Sequence, residues 1–286
     1  MSAKIKIIGE SASDLSKELI DKYGFETLPM PVTIDGIGYL DGETITTAEL
    51  FERVKATGKQ PKTSAQSVGK LIDTFKKYTE QGYEVIYFAL SSALSATYNN
   101  AKLAAAEVSG AYAVDTRVLS TGMALLMIKT AELIDSNEGI SGADACEYAQ
   151  NLADNNSQTS FVIDTLEYLH KGGRCSGLAA LGANLLKLKP CLDLIGGKIE
   201  VTKKYRGNMA LVLPEYVENR LKGKNNLDLS RVFVTHTGFK DPGIIESVKK
   251  RIMELQPFEE IIETCAGAGI ATHCGPGTLG ILFLTK

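Results

Sequence analysis

Apolar and polar positions along this chain fall into blocks that switch between two periods. Ile5 to Ile8 is an apolar run followed by polar Glu10-Ser11-Ala12-Ser13, after which Leu15, Leu19 and Tyr23 recur every four residues up to Gly24. The first block reads as a buried strand. The second reads as one face of a short helix, capped by Ser13 and stopped by Gly24. Glu26 to Ile34 contains Pro29 and Pro31, which suits only an edge strand or an extended arm. Thr46 and Glu49 have capping-box spacing ahead of Leu50, Phe51 and Val54. Val85 to Leu90 is a continuous apolar run, as expected of a parallel strand, with a helix starting near Ser95. Ala111 to Val114 is the next strand, ended by Asp115-Thr116.

Repeated strand, loop and helix units predict a parallel, doubly wound sheet for this half. Such sheets bind ligands beyond the carboxyl ends of their strands. The clusters Ser11/Ser13, Ser91/Ser92/Ser95 and Thr116 are therefore expected along one edge. The pattern changes after Asn155-Asn156-Ser157. Cys191 to Ile195, Gly196-Gly197 and Lys198 to Thr202 predict a hairpin, because Gly-Gly suits a tight primed turn. Asp241-Pro242 opens a helix with Asp as its cap, and Leu279 to Leu284 is a last strand. The expectation is an α/β protein of two lobes, residues 1–155 with the parallel sheet and residues 156–286 with a mixed α+β sheet.

At 286 residues two lobes are the default, and 44% hydrophobic with 23% charged residues is ordinary for a folded protein. A net charge of -3 gives no global electrostatic reason to bind nucleic acid or an acidic membrane. Five cysteines, none in C-x-x-C spacing, fit dispersed thiols in a reducing compartment. The first residues read as a strand rather than a signal peptide, and no apolar run approaches the ~20 residues of a membrane helix. A cytoplasmic location without stable membrane insertion is expected.

Five stretches carry candidate chemistry. Ser91-Ser92-Ala93-Leu94-Ser95-Ala96-Thr97 lies between a strand and a helix. Its hydroxyls either cap that helix or join its unpaired N–H groups in holding an anion. Neither a nucleophile elbow nor a P-loop surrounds it. Pro61-Lys62-Thr63-Ser64-Ala65-Gln66-Ser67 is a second hydroxyl loop, with Ser64 or Ser67 as the cap of a following helix. Switch-point geometry would bring the two loops together. Gly267 to Gly277 holds His273 in a glycine-rich loop, either as a ligand contact or as a structural histidine. No second ligand pair has spacing for a metal with His273 and Cys274. Arg174, in Lys171-Gly172-Gly173-Arg174, has the side chain best suited to a carboxylate or phosphate. Lys203-Lys204-Tyr205-Arg206 is a basic run whose plain reading is a solvated strand end.

Taken in order, Ser11-Ala12-Ser13-Asp14-Leu15, Thr63 to Ser67, Ser91 to Tyr98, Gly172 to Ser176, Lys189-Pro190 and Thr272 to Gly277 resemble the DegV family of bacterial fatty-acid-binding proteins. The resemblance implies a long acyl chain buried between two lobes. Its carboxylate would be held by Thr63 and Ser95, with Ser64 and Ser92 as neighbours and Arg174, His273 and Arg206 near the head group. It also implies a partner, an ATP-dependent fatty acid kinase, to which the carrier presents the acid, with no cofactor and no turnover of its own. Glu10, Ala65-Gln66, Ala96, Ala271 and Thr278 depart from the family's usual residues. Two rival readings are a serine-dependent acyl ester hydrolase and a binder of a phosphorylated small molecule.

Overall fold

The computed structural model describes residues 4–175 and 188–286. The chain opens with β1 (Lys4–Glu10), a single 3-10 turn at Ser11–Ser13, α1 (Lys17–Tyr23) and β2 (Glu26–Leu28). A small antiparallel excursion follows: β3 (Pro31–Ile34), β4 (Ile37–Leu40), α2 (Thr47–Thr57) and β5 (Lys62–Thr63). The main layer resumes with α3 (Val68–Thr79), β6 (Tyr83–Ala89), α4 (Thr97–Glu107), β7 (Ala111–Asp115), α5 (Thr121–Ser136) and α6 (Gly142–Asn155). Four strands form a wholly parallel sheet in the order β2-β1-β6-β7. Apolar side chains of α3 and α4 cover one face (Leu71, Phe75, Ala101, Ala104), and α5 and α6 cover the other. This is the doubly wound arrangement that the repeated units predict.

The second half contains β8 (Ser157–Val162), α7 (Glu167–Gly172), β9 (Leu188–Ile195), β10 (Lys198–Arg206), α8 (Met209–Leu221), β11 (Arg231–His236), α9 (Gly243–Leu255), β12 (Glu260–Cys265), α10 (Ala268–Cys274) and β13 (Leu279–Leu284). Its six-stranded sheet runs β10-β9-β8-β13-β11-β12, with only β11 and β12 parallel. The hairpin of β9 and β10 turns on Gly196 (φ 56°) and Gly197 (φ 83°), both in the left-handed region that a primed turn requires. The Ser91 hydroxyl, at the end of β6, donates to the Gly197 carbonyl at 2.7 Å and so joins the turn to the first sheet.

The largest core is shared by both halves. Helix α5 is apolar on every side, with Met123, Ala124, Leu125, Leu126, Met127 and Ile128 all buried. A helix of that kind must be covered on all faces. It packs against β1 and β6 on one side and β8 and β13 on the other.

Three local expectations are corrected. Ser16, not Ser13, caps α1, accepting from the Leu19 N–H, while Ser13 is fully buried with an unpartnered hydroxyl. The stretch with the two prolines is split: β2 is an edge strand, but β3 is the middle strand of the sheet β4-β3-β5, with Pro31 at its first position. His273 lies on helix α10 rather than in a loop. The N-terminus of α10 is held by carboxylates from the first half. Asp14 Oδ1 accepts from the Gly267 N–H at 2.8 Å, and Asp41 Oδ1 from the Ala268 N–H at 2.6 Å. Asp41 Oδ2 also accepts from the Ser11 hydroxyl at 2.7 Å. Glycine is needed here: a Cβ at 267 or 269 would come within 2.7 or 2.9 Å of the Asp41 carboxylate.

Asp41 is only 3% exposed, so Asp41→Ala should leave a buried amide and hydroxyl unpaired and cost about 1–3 kcal/mol in urea unfolding. Asp41→Asn, which keeps an acceptor oxygen, should cost less. Equal loss in the two variants would mean that the capping bond is not what Asp41 contributes.

Candidate functional site

The carboxyl ends of β6 and β5 and the helix α10 enclose a cavity of about 480 Å³. That is within the ~300–1,000 Å³ usual for small-molecule sites. Polar side chains in its wall are Thr63, Ser64, Ser92, Ser95, Arg174 and His273. Apolar side chains in the same wall are Met30, Leu90, Leu94, Leu119, Ile199 and Ile270. Residues of both halves contribute, so the cavity lies between the lobes. Leu119, Ile270 and Cys274 also line a second, narrow space of about 20 Å³ that leads toward Phe161, Thr235 and Leu282 between the sheets.

The two hydroxyl loops do meet, though by another route than one sheet edge. Ser92 and Ser95 follow β6 of the parallel sheet, whereas Thr63 ends β5 of the small antiparallel sheet. Ser67 caps α3, accepting from the Lys70 N–H, which leaves Ser64 free of that task. Helix α4 has Ala96 at its cap position, with no side-chain cap bond. Ser95 Oγ accepts from the Thr97 N–H at 3.2 Å and lies 3.0 Å from Thr97 Oγ1. Ser92 is placed differently. Its hydroxyl donates to Asp115 Oδ2 at 2.5 Å and its amide to Oδ1 at 3.0 Å, so its proton is already engaged. Asp115, at the end of β7, holds the loop that presents Ser95.

His273 Nε2 stands 2.9 Å from Thr63 Oγ1. Its Nδ1 is buried without a partner, against Gly172, where a Cβ would come within 2.5 Å of that nitrogen. Burial, helped by the nearby Arg174 guanidinium, pulls its pKa down to about 4. The imidazole is therefore neutral at physiological pH. With a proton on Nε2 it donates to Thr63, and the Thr63 hydroxyl proton is left to face the cavity. Arg174 is exposed and donates to the Gly172 carbonyl at 2.7 Å.

Six of the seven residues singled out in the sequence thus line one cavity. Arg206 does not: it ends β10, exposed, paired with Leu188. Ser176, the last residue of the arginine motif, lies outside the described residues. Sequence reasoning missed Asn99, one turn into α4, and the apolar wall, because nothing in a sequence separates a cavity-lining Leu from a core Leu. No serine hydroxyl bonds to His273 among the described residues, and no carboxylate meets its Nδ1, so a hydrolase triad is not assembled. Among the described residues no group of three His, Cys, Asp or Glu side chains could hold a metal ion, and no helix is long and apolar enough to cross a membrane.

Two α/β lobes around a cavity of mixed lining, with hydroxyls and a neutral imidazole in its wall, define a two-lobed α/β protein with one candidate small-molecule site. The chain belongs to the DegV family, whose model, described as an uncharacterised protein of the DegV family, matches residues 4–286. It is 30% identical over 281 residues to a fatty acid-binding protein of Thermotoga maritima, covering 97% of this chain and 96% of that one. A DegV domain-containing protein of Listeria innocua is 30% identical over 295 residues, covering 100% of both. Among solved structures the chain is similar to a fatty-acid-binding DegV family protein from Thermus thermophilus (29% identity, TM-score 0.87, 99% of this chain and 100% of that one). It is also similar to a stearic acid-binding protein from Eubacterium ventriosum (25% identity, TM-score 0.80, 99% and 98%).

The depressed pKa of His273 has a definite consequence. Between about 4 and 6.5 the unfolded chain binds a proton at this position that the folded chain does not, so stability falls as pH falls through that window. The His273 ring resonances should stay those of a neutral imidazole from pH 8 to 5 in an NMR titration. A midpoint near 6.5 would contradict the buried, neutral assignment.

Proposed function

We propose that this protein is a carrier for a long-chain fatty acid, holding the carboxylate at Thr63 and Ser95 and the acyl chain in the apolar part of the cavity. The observation that carries this reading is the mixed wall of one cavity, in which hydroxyl donors and aliphatic side chains line the same space. Burying a chain of ~16 carbons at ~0.8 kcal/mol per methylene gives roughly 12 kcal/mol of gross transfer energy, before the costs of association. A carboxylate carried into such a site needs donors in place of water. Thr63, oriented by His273, and Ser95, at the positive end of α4, supply them without neutralising the charge. From there the tail runs past Leu119, Ile270 and Cys274 toward the second, narrow space. The relatives named as fatty-acid-binding support the ligand class.

The carrier reading extends to a partner. The bound carboxylate is presented to an ATP-dependent fatty acid kinase, and the resulting acyl phosphate keeps its place beside Arg174 and His273. Arg174 is suited to this step because it is at the polar mouth and exposed, where a phosphate with added negative charge would meet a guanidinium. Free thiols at Cys146, Cys191, Cys265 and Cys274 fit a reducing, cytoplasmic setting.

Mass spectrometry of lipid extracted from the purified protein should find one fatty acid per chain. Thr63→Ala and Ser95→Ala should each weaken binding of added acid by about 1–3 kcal/mol, the range for a lost charged hydrogen bond. A lipid-free protein that takes up no added acid would sink the carrier reading. Arg174→Ala should bind acid as tightly as the parent, but its bound acid should be phosphorylated more slowly by a cognate kinase. Loss of binding in that variant would place Arg174 in the acid site instead.

A further inference from the structure

The Ser91 hydroxyl stands where the loop between β6 and α4 meets the β9–β10 hairpin of the second lobe. Ser91 is fully buried. Its backbone secures the loop within its own lobe. The Ser91 N–H donates to the Val118 carbonyl at 3.2 Å, and the Ser91 carbonyl accepts from the Leu94 and Ser95 amides at 2.9 and 3.0 Å. The side chain reaches further. A hydroxyl has one proton to give and two lone pairs to offer. Here the proton goes to the Gly197 carbonyl at 2.7 Å, while Oγ accepts from the Ala93 N–H at 3.3 Å. A single oxygen thus joins the turn of the hairpin to the loop that carries Ser95.

Both of the segments it joins line the cavity: Ala93, Leu94 and Ser95 from the loop, and Ile199, two residues beyond the turn, from β10. The helix that follows gives the loop little support, because Ala96 stands at its cap position and makes no side-chain cap bond. The hairpin is docked closely enough to exclude a side chain at its nearer glycine. A Cβ at Gly197 would come within 2.7 Å of Ser91 Oγ, whereas one at Gly196 would meet nothing within 4 Å. We infer that Ser91 is a positioning residue for the ligand site, which, bonded to the docked hairpin, fixes the loop in the conformation that presents Ser95 to the acid.

The physical basis is preorganisation. A donor held in place before the ligand arrives binds it more tightly than one that must be ordered on binding. Asp115 holds Ser92 from within the first lobe, through its hydroxyl and its amide. Ser91 holds the next residue, Ala93, from the side of the second lobe. Between them the loop has few conformations left, and Ser95 begins α4 in one place. The dependence runs across the lobes: the hairpin must be seated for the Ser91 hydroxyl to have its acceptor. An unseated hairpin leaves that buried proton without a partner, which is costly.

The inference rests on the fatty acid reading, and one set of variants separates the two. Dodecanoate affinity should be measured by calorimetry, beside stability in urea, for the parent, Ser91→Ala, Gly197→Ala, Gly196→Ala, Ser95→Ala and the Ser91→Ala/Ser95→Ala pair. Ser91→Ala and Gly197→Ala should each weaken binding about three- to tenfold, as expected for the loss of one neutral hydrogen bond. Gly196 and Gly197 both have positive φ, so alanine strains the turn at either position, but only Gly197→Ala reaches Ser91. Gly196→Ala should therefore bind like the parent. If Ser91 acts through Ser95, the pair should bind within about twofold of Ser95→Ala alone. Parent-like affinity in Ser91→Ala with only stability reduced, equal losses in the two glycine variants, or a Ser91→Ala loss that recurs in full without the Ser95 hydroxyl each overturns the positioning role and leaves the carrier reading intact. Should Ser91→Ala not fold, the comparison of the two glycine variants decides. A parent that binds no dodecanoate overturns both.

Discussion

Asp14 and Asp41, both from the first half of the chain, hold the N-terminus of α10 in the second, and the geometry of the cavity hangs on that contact. The first N–H groups of a helix have no partner within it, and a carboxylate is the acceptor that the helix dipole favours. Both aspartates are nearly inaccessible, and burial pushes their pKa values up. Such groups persist in a core only when hydrogen-bonded. Asp14 also accepts from the Ser120 hydroxyl at 2.5 Å, so three elements converge on it: the turn after β1, the start of α5 and the start of α10. Backbone strain collects at the same point, with Asp14 at φ 51° and Ser120 at φ 56°, left-handed conformations that non-glycine residues adopt at a cost of about 1–3 kcal/mol. What the strain secures is the placement of α10, which carries Ile270, His273 and Cys274 to the cavity wall.

On the proposed reading, the polar side chains of the cavity receive a negative charge without a buried cation. His273 is neutral, and the one guanidinium, Arg174, is exposed at the rim. Stabilisation inside comes from dipoles held in place: the Thr63 hydroxyl oriented by an imidazole, the Ser95 hydroxyl oriented by Thr97, and the start of α4. A buried, fixed salt bridge would have imposed a desolvation cost that often exceeds its gain, and would oppose any later change of charge on the ligand. Hydroxyls can donate to a carboxylate and tolerate its conversion. On the proposed carrier reading, that distinction would suit the site to holding and releasing an acid rather than sequestering it.

Much of the fold was legible because it follows from periodicity. The apolar run Val85 to Leu90, the capping box of Thr46 and Glu49 and the Gly-Gly hairpin each have a local physical cause, and each is present. What misled was chemistry decided at a distance. Ser13 resembles a cap by position, yet it is buried and Ser16 does the capping. The prolines at 29 and 31 argue against a middle strand, but β3 needs few ladder bonds from so short a partner as β5. Gly267 to Gly277 looks like a loop because glycine is a poor helix former. The helix there is stabilised by two aspartates more than 220 residues away in sequence. The site residues were accessible to recognition through their ordered motifs, whereas Asp115 reaches the cavity only through Ser92 and carries no motif of its own.

The narrowness of the second space sets the terms on which a long tail can be accommodated. About 20 Å³ is room for hardly more than one water. An acyl chain that extends beyond the first cavity must therefore move Leu119, Ile270 or Cys274, the residues common to both spaces. Leu119 immediately precedes Ser120, and Ile270 and Cys274 lie on α10, so these side chains stand on the segments that Asp14 joins. Interiors are close-packed and respond to inserted volume by shifting whole elements rather than by local compression. On the proposed carrier reading, tail length and the seating of α10 would be coupled through the same three side chains.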